Sequence, residues 1–260
     1  MFDKSLWKQY FHYWPTWPCP TCGSVSIGIQ KEKLLDEETE PSKRAHSHEA
    51  FEVEWVERRF ATILKCQNRA CGELVAASGN VSVEEDQNWD EDGDWHSTYV
   101  DYFEPKSFHP APPIFAIPSE TPKPVGEKLR KAFELIWSDC GAAANQLRTG
   151  IDCVLDDQGI ARTTRSGGKR LQLSTHSRIE KFKGDPDARE YLMAIKWLGN
   201  AGSHSDENSI ERDDLLDGLE LFEAALDRLY VRSDEKFAKL AAEINKRKGK
   251  RKRKKNKRKA

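Results

Sequence analysis

The sequence predicts an α+β protein in which a small β-rich domain is followed by an all-α bundle and a disordered basic tail. Short stretches of alternating apolar and polar residues fall between 19 and 102, whereas apolar residues recur at helical spacing between 125 and 231. Seven of the twelve prolines lie in residues 103–125, between these two regions. The predicted units are 1–102, a connector at 103–124, a bundle at 125–233, and 234–260, a helix that frays into the tail.

Three alternating stretches, 24–29, 51–64 and 75–83, predict the strands of the first unit. Residues 30–50 are polar and predict an excursion between strands, while the acidic residues 84–94 predict a solvated hairpin tip. Residues 1–18 are aromatic-rich. We interpret them as an arm that packs over the domain. A stacking platform for nucleic-acid bases is the weaker alternative, because no dense cluster of positive charge lies nearby.

Four apolar stripes predict the helices of the second unit. Between the second and third stripes, residues 161–170 (ARTTRSGGKR) predict a loop, and a short helix is expected around Ile179. The stripes comprise Val125, Leu129, Phe133, Ile136 and Cys140; Leu147, Ile151, Val154 and Leu155; Tyr191, Ala194, Ile195 and Leu198; and Leu215, Leu219, Phe222, Leu226, Leu229 and Tyr230.

Charge is distributed very unevenly along the 260 residues. The formal net charge is only −1, but residues 246–260 contain twelve Lys or Arg and no acid, so the remainder carries 30 basic and 43 acidic residues, a net of −13. There is no apolar run of membrane-spanning length and no continuous apolar segment typical of a secretory signal. A cytoplasmic location is therefore expected, with no membrane partner.

Four cysteines occur in two pairs with the spacing of metal-binding knuckles. Cys19 and Cys22 are separated by two residues, and Cys66 and Cys71 by four, and a glycine that permits a tight turn follows each pair. Four soft thiolate ligands suit tetrahedral Zn²⁺. The second pair also follows a predicted strand, as a zinc ribbon requires. The sequence therefore predicts one structural zinc ion in a zinc-ribbon-like domain.

Buried or disulfide-bonded cysteines are the alternative, but disulfides are uncommon in the cytoplasm. A catalytic zinc ion is not favoured, because four cysteines would close the coordination shell. Nothing in the spacing of His46, His48 or His96 favours them as substitute ligands. Cys140 and Cys153 are isolated on apolar helix faces and are expected to belong to the core.

The combination of a zinc knuckle, a Pro-rich connector and a helical domain resembles the bacterial domain-of-unknown-function 4145 family. The matching residues are 145–148 (NQLR) and 197–204 (WLGNAGSH), within a stretch of about 125–231. This family is similar to the HEPN class of helical bundles. The resemblance therefore implies a HEPN-like bundle, homodimerisation through the helical domain, and metal-independent ribonuclease activity in phage defence or toxin systems.

The HEPN ribonuclease motif consists of an Arg, usually followed by a polar residue, and then a His after four to six positions. His204 matches the histidine and Asn200 the polar residue, but Gly199 occupies the arginine position. From the residues alone, a helix terminus in which Asn200 and His204 bond free backbone groups is at least as well supported.

A replacement cation for catalysis would have to come from elsewhere in the chain. Lys196 is separated from His204 by seven residues, which is too far for the motif. Arg148 and Arg178 are the candidates from other helices. Catalysis would need one His to move a proton and one cation to stabilise the developing phosphorane charge.

The basic tail predicts binding to the phosphate backbone of RNA or DNA, with strong salt dependence. A tail that folds back onto the acidic body is the competing interpretation. The predicted contacts are Lys246, Arg247, Lys248, Lys250, Arg251, Lys252, Arg253, Lys254, Lys255, Lys257, Arg258 and Lys259.

Three functions are compatible with these features. We favour a nucleic-acid-associated binding or adaptor module without catalysis, because the tail is evident and the catalytic Arg is missing. The second is a HEPN-like ribonuclease. The third is an interaction or antitoxin-like protein whose acidic body meets a basic partner.

Overall fold

A curled antiparallel sheet of five strands forms the first part of the chain. The computed structural model describes residues 1–23, 26–89, 95–201 and 210–246. In the sheet, β3 pairs with β4 along one edge and with both β1 and β2 along the other, and β4 pairs with β5. The strands are β1 (Ile27–Ile29), β2 (Leu35–Glu38), β3 (Glu57–Cys66), β4 (Leu74–Trp89) and β5 (Trp95–His109).

The segment 30–50 contains regular structure that the sequence did not predict. Strand β2 and a short helix, α1 (Glu40–Ala45), both lie within it. The Thr39 side chain caps α1 by accepting a hydrogen bond from the Ser42 backbone amide, and Pro41 occupies its first turn. The prediction of a simple polar excursion is wrong here, because β2 is an edge strand whose polar composition hides the alternation.

Strands β4 and β5 form one long hairpin that contains the acidic residues 84–89 and extends into the predicted connector. Residues 103–109 are the second half of β5, and 90–94 lie outside the described residues. A register shift occurs at Ser78 and Gly79. A β-carbon on Gly79 would overlap the Glu104 carbonyl oxygen, so this close approach requires glycine.

Six helices follow the sheet, and they confirm the helical pattern predicted for the second part of the chain. The residues predicted as a loop, 161–170, instead contain a two-stranded hairpin of β6 (Thr163–Ser166) and β7 (Lys169–Gln172), turned by two glycines with positive φ. The helices are α2 (Lys123–Leu135), α3 (Cys140–Asp157), α4 (Thr175–Lys181), α5 (Pro186–Ala201), α6 (Arg212–Leu226) and α7 (Ser233–Lys246). Among the described residues, no helix is both long enough and apolar enough to cross a membrane.

The N-terminal aromatic residues connect the sheet to the helices. Trp137, just after α2, lies 4.5 Å from Phe108, 5.8 Å from Trp17 and 6.0 Å from Trp7, measured between ring centroids. These rings belong to one buried cluster shared by the sheet and the helices. Their burial confirms the interpretation of residues 1–18 as a packing arm and fixes the first cysteine pair beside α2.

Glycines allow the helices of the second part to approach closely. A β-carbon on Gly199 of α5 would lie 3.1 Å from the Arg148 β-carbon and 3.2 Å from the Ala144 carbonyl oxygen on α3. Contacts at this distance are tighter than ordinary van der Waals packing. Gly199 therefore lies in the last turn of α5, at its contact with α3, two residues before the described helix ends at Ala201.

Candidate metal centre and cation surface

The first cysteine pair lies in a tight turn that begins where the arm meets the sheet. The Ile27 amide donates to the Trp17 carbonyl at 2.9 Å, which joins the two ends of the turn. The Gly23 amide donates to the Cys19 carbonyl at 2.9 Å, and Gly23 has a φ of +64°. A residue with a β-carbon would be strained in this left-handed conformation. The turn directs the thiols of Cys19 and Cys22 to the same side.

The second cysteine pair forms the connection between β3 and β4. Cys66 ends β3, and its amide donates to the Glu73 carbonyl at 2.8 Å. The Cys71 and Gly72 amides both donate to the Asn68 carbonyl at 3.0 Å, and Gly72 has a φ of +65°. The two turns therefore share the same design, in which a glycine follows the second cysteine.

Strand pairing brings the two turns together. Ile27 of β1 lies opposite Cys66 of β3, so the segment after the first turn is held against the segment before the second. The Thr21 hydroxyl also donates a hydrogen bond to the Glu73 carboxylate, which links the tips of the two turns. Two cysteine pairs that are distant in sequence thus converge at one end of the sheet.

The four sulfur atoms form a compact cluster with tetrahedral dimensions. The Cys19 and Cys71 sulfurs are 3.8 Å apart, those of Cys22 and Cys66 are 3.7 Å apart, and all four lie within 4.8 Å of one another. A tetrahedron with metal–sulfur bonds of about 2.3 Å has edges of roughly 3.8 Å. None of these cysteines forms a disulfide. The cluster could therefore bind a metal ion.

Burial affects the ionisation of this cluster. Cys19 is completely buried and Cys66 is only 3% exposed. Burial raises the pKa of the Cys66 thiol to about 12, so a compensating charge is needed for Cys66 to act as a thiolate ligand at neutral pH. A bound divalent cation would supply that charge. With four thiolates the coordination shell is complete, which leaves no position for a reacting molecule.

The other metal-ligand candidates lie elsewhere. The His46 imidazole pairs with Glu38 at 2.7 Å and the His48 ring contacts Trp55; no histidine joins the cysteine cluster among the described residues. Cys140 and Cys153 are partly buried in the helical part, and burial raises the pKa of both thiols. Their position agrees with the predicted role in the core.

Arg178, one of the predicted catalytic cations, is buried in an ion-pair cluster. Its side chain is only 2% exposed, and its guanidinium donates to the Asp152 carboxylate at 2.5 Å and to the Asp156 carboxylate at 2.6 Å. It also donates to the Ile160 carbonyl at 2.9 Å. These contacts tie α4 to the C-terminal half of α3 and give Arg178 a structural role, while its catalytic role stays a prediction.

Arg148, the second predicted cation, lies on the opposite half of α3. Its guanidinium donates only a long hydrogen bond, 3.3 Å, to the Asn145 side chain. The backbone of Asn200 belongs to α5, while the Asn200 side chain and all of His204 lie outside what the structure describes. Arg148, on the N-terminal half of α3, and Arg178, on α4 against the C-terminal half of α3, therefore occupy two separate environments.

Sequence reasoning set Lys196 aside because of its distance from His204, yet it lies beside Arg148. Its ammonium is 3.2 Å from the centroid of the Trp197 ring, which is 56% exposed. The signal available in the sequence is a single lysine within the otherwise uncharged, largely apolar stretch 191–198. Of the predicted tail contacts, Lys246 ends α7, and those from Arg247 onward lie outside the described residues.

Two family models match this chain, one over the five-stranded sheet and the other over the helices. Residues 130–247 match the model of a family described as Domain of unknown function (DUF4145), which confirms that part of the predicted resemblance. Residues 9–108, which include all four clustered cysteines, match a second family, described as Domain of unknown function (DUF8608). No curated protein and no solved structure matches the chain.

Proposed function

We propose that the protein is a zinc-stabilised nucleic-acid-binding module that acts without catalysis. The four-sulfur cluster with tetrahedral dimensions supports the zinc centre. Zn²⁺ is favoured over other ions because it accepts four thiolates and needs no redox partner. In this proposal the ion fixes two turns of a ribbon-like sheet, and nucleic acid binds elsewhere on the chain.

The observation that carries nucleic-acid binding is the charge of residues 246–260. Twelve of these fifteen residues are Lys or Arg and none is acidic. The segment continues from α7, whose described side chains from Lys236 to Lys246 are exposed to solvent. Such a dense array of cations favours the phosphate backbone, because binding releases condensed counterions. Little sequence specificity is expected from this contact alone.

The test is binding of the full-length protein to RNA and DNA at several salt concentrations. A variant with the twelve basic residues of 246–260 replaced by Gln should bind at least tenfold more weakly, and its dependence on salt should be much shallower. A variant with Gln at exposed Lys123, Lys131 and Lys43 is the control for general charge. Unchanged affinity in the tail variant would refute the proposal.

Ribonuclease activity is a second candidate, supported by the position of the Arg148 side chain beside Gly199 in the last turn of α5. It predicts metal-independent RNA cleavage that is lost in His204→Ala and Arg148→Gln but retained in a stable Arg178 variant. Absence of cleavage by the intact protein would count against it. The antitoxin-like partner, homodimerisation and the defence role stay predictions, which isolation of the native assembly would test.

A further inference from the structure

Arg148 and Lys196 lie on the facing surfaces of α3 and α5, and neither has an acidic partner among the residues that the structure describes. Lys196 is 7% exposed, although lysine usually extends its ammonium fully into water. Burial lowers the pKa of Lys196, and repulsion from Arg148 lowers it further. This surface therefore concentrates positive charge.

The acids of α3 do not neutralise this charge. Asp152 and Asp156 bind Arg178, and Asp156 also binds Arg162. These pairs occupy the C-terminal half of the helix, whereas Arg148 lies in the N-terminal half. The C-terminal half of α3 therefore has matched charges, whereas Arg148 in the N-terminal half pairs with no carboxylate among the described residues.

An exposed aromatic ring adjoins the two cations. Trp197 is 56% exposed, with the Lys196 ammonium against its ring and the His176 ring 5.7 Å away. His176 faces Glu180 at 3.6 Å, and this glutamate is the nearby acid on α4. The Trp197 ring is thus held by contacts within the protein but remains largely open to solvent. An exposed ring of this kind suits stacking of a planar ligand.

Gly199 brings Arg148 and Lys196 together. Lys196 and Gly199 are three residues apart on α5 and so lie on neighbouring turns of one face. Because a β-carbon at Gly199 would crowd the Arg148 side chain, glycine lets Arg148 pass close to the α5 backbone. The helix contact therefore holds the Arg148 side chain against the α5 face that carries Lys196, and the repulsion from Arg148 that lowers the Lys196 pKa agrees with this placement.

We propose that Arg148, Lys196 and Trp197 form a binding site for single-stranded nucleic acid. The two cations hold a phosphodiester, and the exposed indole stacks on an adjacent base. A phosphodiester supplies the negative charge that this surface lacks, and a base supplies the planar face. A duplex would not present its bases for stacking. This site rests on the proposed nucleic-acid-binding function and adds to it a preference for single strands.

The experiment compares fluorescence anisotropy of labelled U15, dT15 and a 15-base-pair DNA duplex with the full-length protein. Trp197→Leu should weaken binding of the single strands by about tenfold, which is within the range for loss of one stacked base, and leave the duplex nearly unchanged. Lys196→Gln and Arg148→Gln should each reduce single-strand affinity about three- to tenfold and make the salt dependence shallower. Trp55→Leu and Lys131→Gln are matched controls on other exposed surfaces.

The outcomes separate this site from the tail. If tail neutralisation weakens binding but Trp197→Leu and Lys196→Gln do not, the α3–α5 site is refuted while the proposed function stands. If these variants weaken single-strand binding but tail neutralisation does not, the site stands and the tail proposal fails. Failure of every oligonucleotide to bind overturns both. Thermal melting of each variant ensures that only folded proteins are compared.

Discussion

The cysteine centre and the α3–α5 cation surface use reactive groups in opposite ways. In the cysteine centre four sulfurs face one another and close around a position for a single ion. On the cation surface Arg148 and Lys196 repel each other, and the Trp197 ring faces solvent. The difference teaches that a cluster turned inward could hold an ion within the fold, whereas the cation surface places its charge beside a ring that is open to solvent.

The largest effect should come from opening the cysteine centre. Cys66→Ser removes a buried ligand, so we expect loss of the bound metal and of cooperative unfolding of the sheet. In zinc-finger peptides, structural zinc contributes about 10–16 kcal/mol of apparent binding free energy. A small sheet that lost a contribution of this size would not stay folded. Metal analysis by mass spectrometry and thermal melting measure both losses.

The matched control for this prediction is Cys153→Ser, a partly buried cysteine outside the cluster. It should keep one zinc ion per chain and change the melting temperature little. If Cys66→Ser retains both metal and a wild-type melting curve, the cluster is not a structural metal centre, and the contrast with the cation surface disappears.

A smaller effect should follow from breaking the matched half of α3. Arg178→Met leaves Asp152 and Asp156 without their buried cation. We expect the free energy of unfolding to fall by about 2–4 kcal/mol, somewhat less than for a fully buried pair because both aspartates are partly exposed. Urea titration measures this change. Arg162→Gln, which removes an exposed partner of Asp156, should cost less than about 1 kcal/mol.

Lowering the pH should reduce the stability that the ion pairs of Asp156 contribute. Hydrogen bonds from Arg162, and then from Arg178, lower the pKa of Asp156 below its usual 3.8. The stabilisation is therefore complete above about pH 5 and is lost as pH falls below 4 toward the folded-state pKa. The loss should be under about 1 kcal/mol because Asp156 is partly exposed. Urea titrations from pH 6 to pH 3 should show less acid sensitivity in Arg162→Gln; equal sensitivity would contradict this assignment.

The two regions also differ in how far the sequence predicts them. The cysteine centre was predictable because its ligand spacing is local and each pair ends in a glycine that permits the turn. Helical periodicity likewise located the helices, since burial of one face leaves a regular pattern. Strand β2 escaped prediction because its residues are mostly polar, as edge strands often are.

Contacts between distant helices were not predictable from spacing. Nothing in the sequence pairs Arg178 with Asp152 and Asp156, so its buried ion pairs could not be predicted from spacing. The proximity of Lys196 to Arg148 depends on the close approach of α5 to α3 at Gly199. Side-chain chemistry was visible in the sequence, but the packing that determines its partners was not.

The smallest effect on stability should come from the cation surface, and its sign is the most informative. Because the pKa of Lys196 is lowered in the folded protein, the charged lysine disfavours folding below that pKa, and stability should rise as pH increases through it. Lys196→Met removes this penalty but also the contact of the ammonium with Trp197, so a net gain between zero and about 1 kcal/mol is expected at pH 7. Urea titration should show this gain, together with weaker single-strand binding. If the free energy of unfolding instead falls by more than about 1 kcal/mol, Lys196 stabilises the fold. The contrast between the cation surface and the cysteine centre would then be lost.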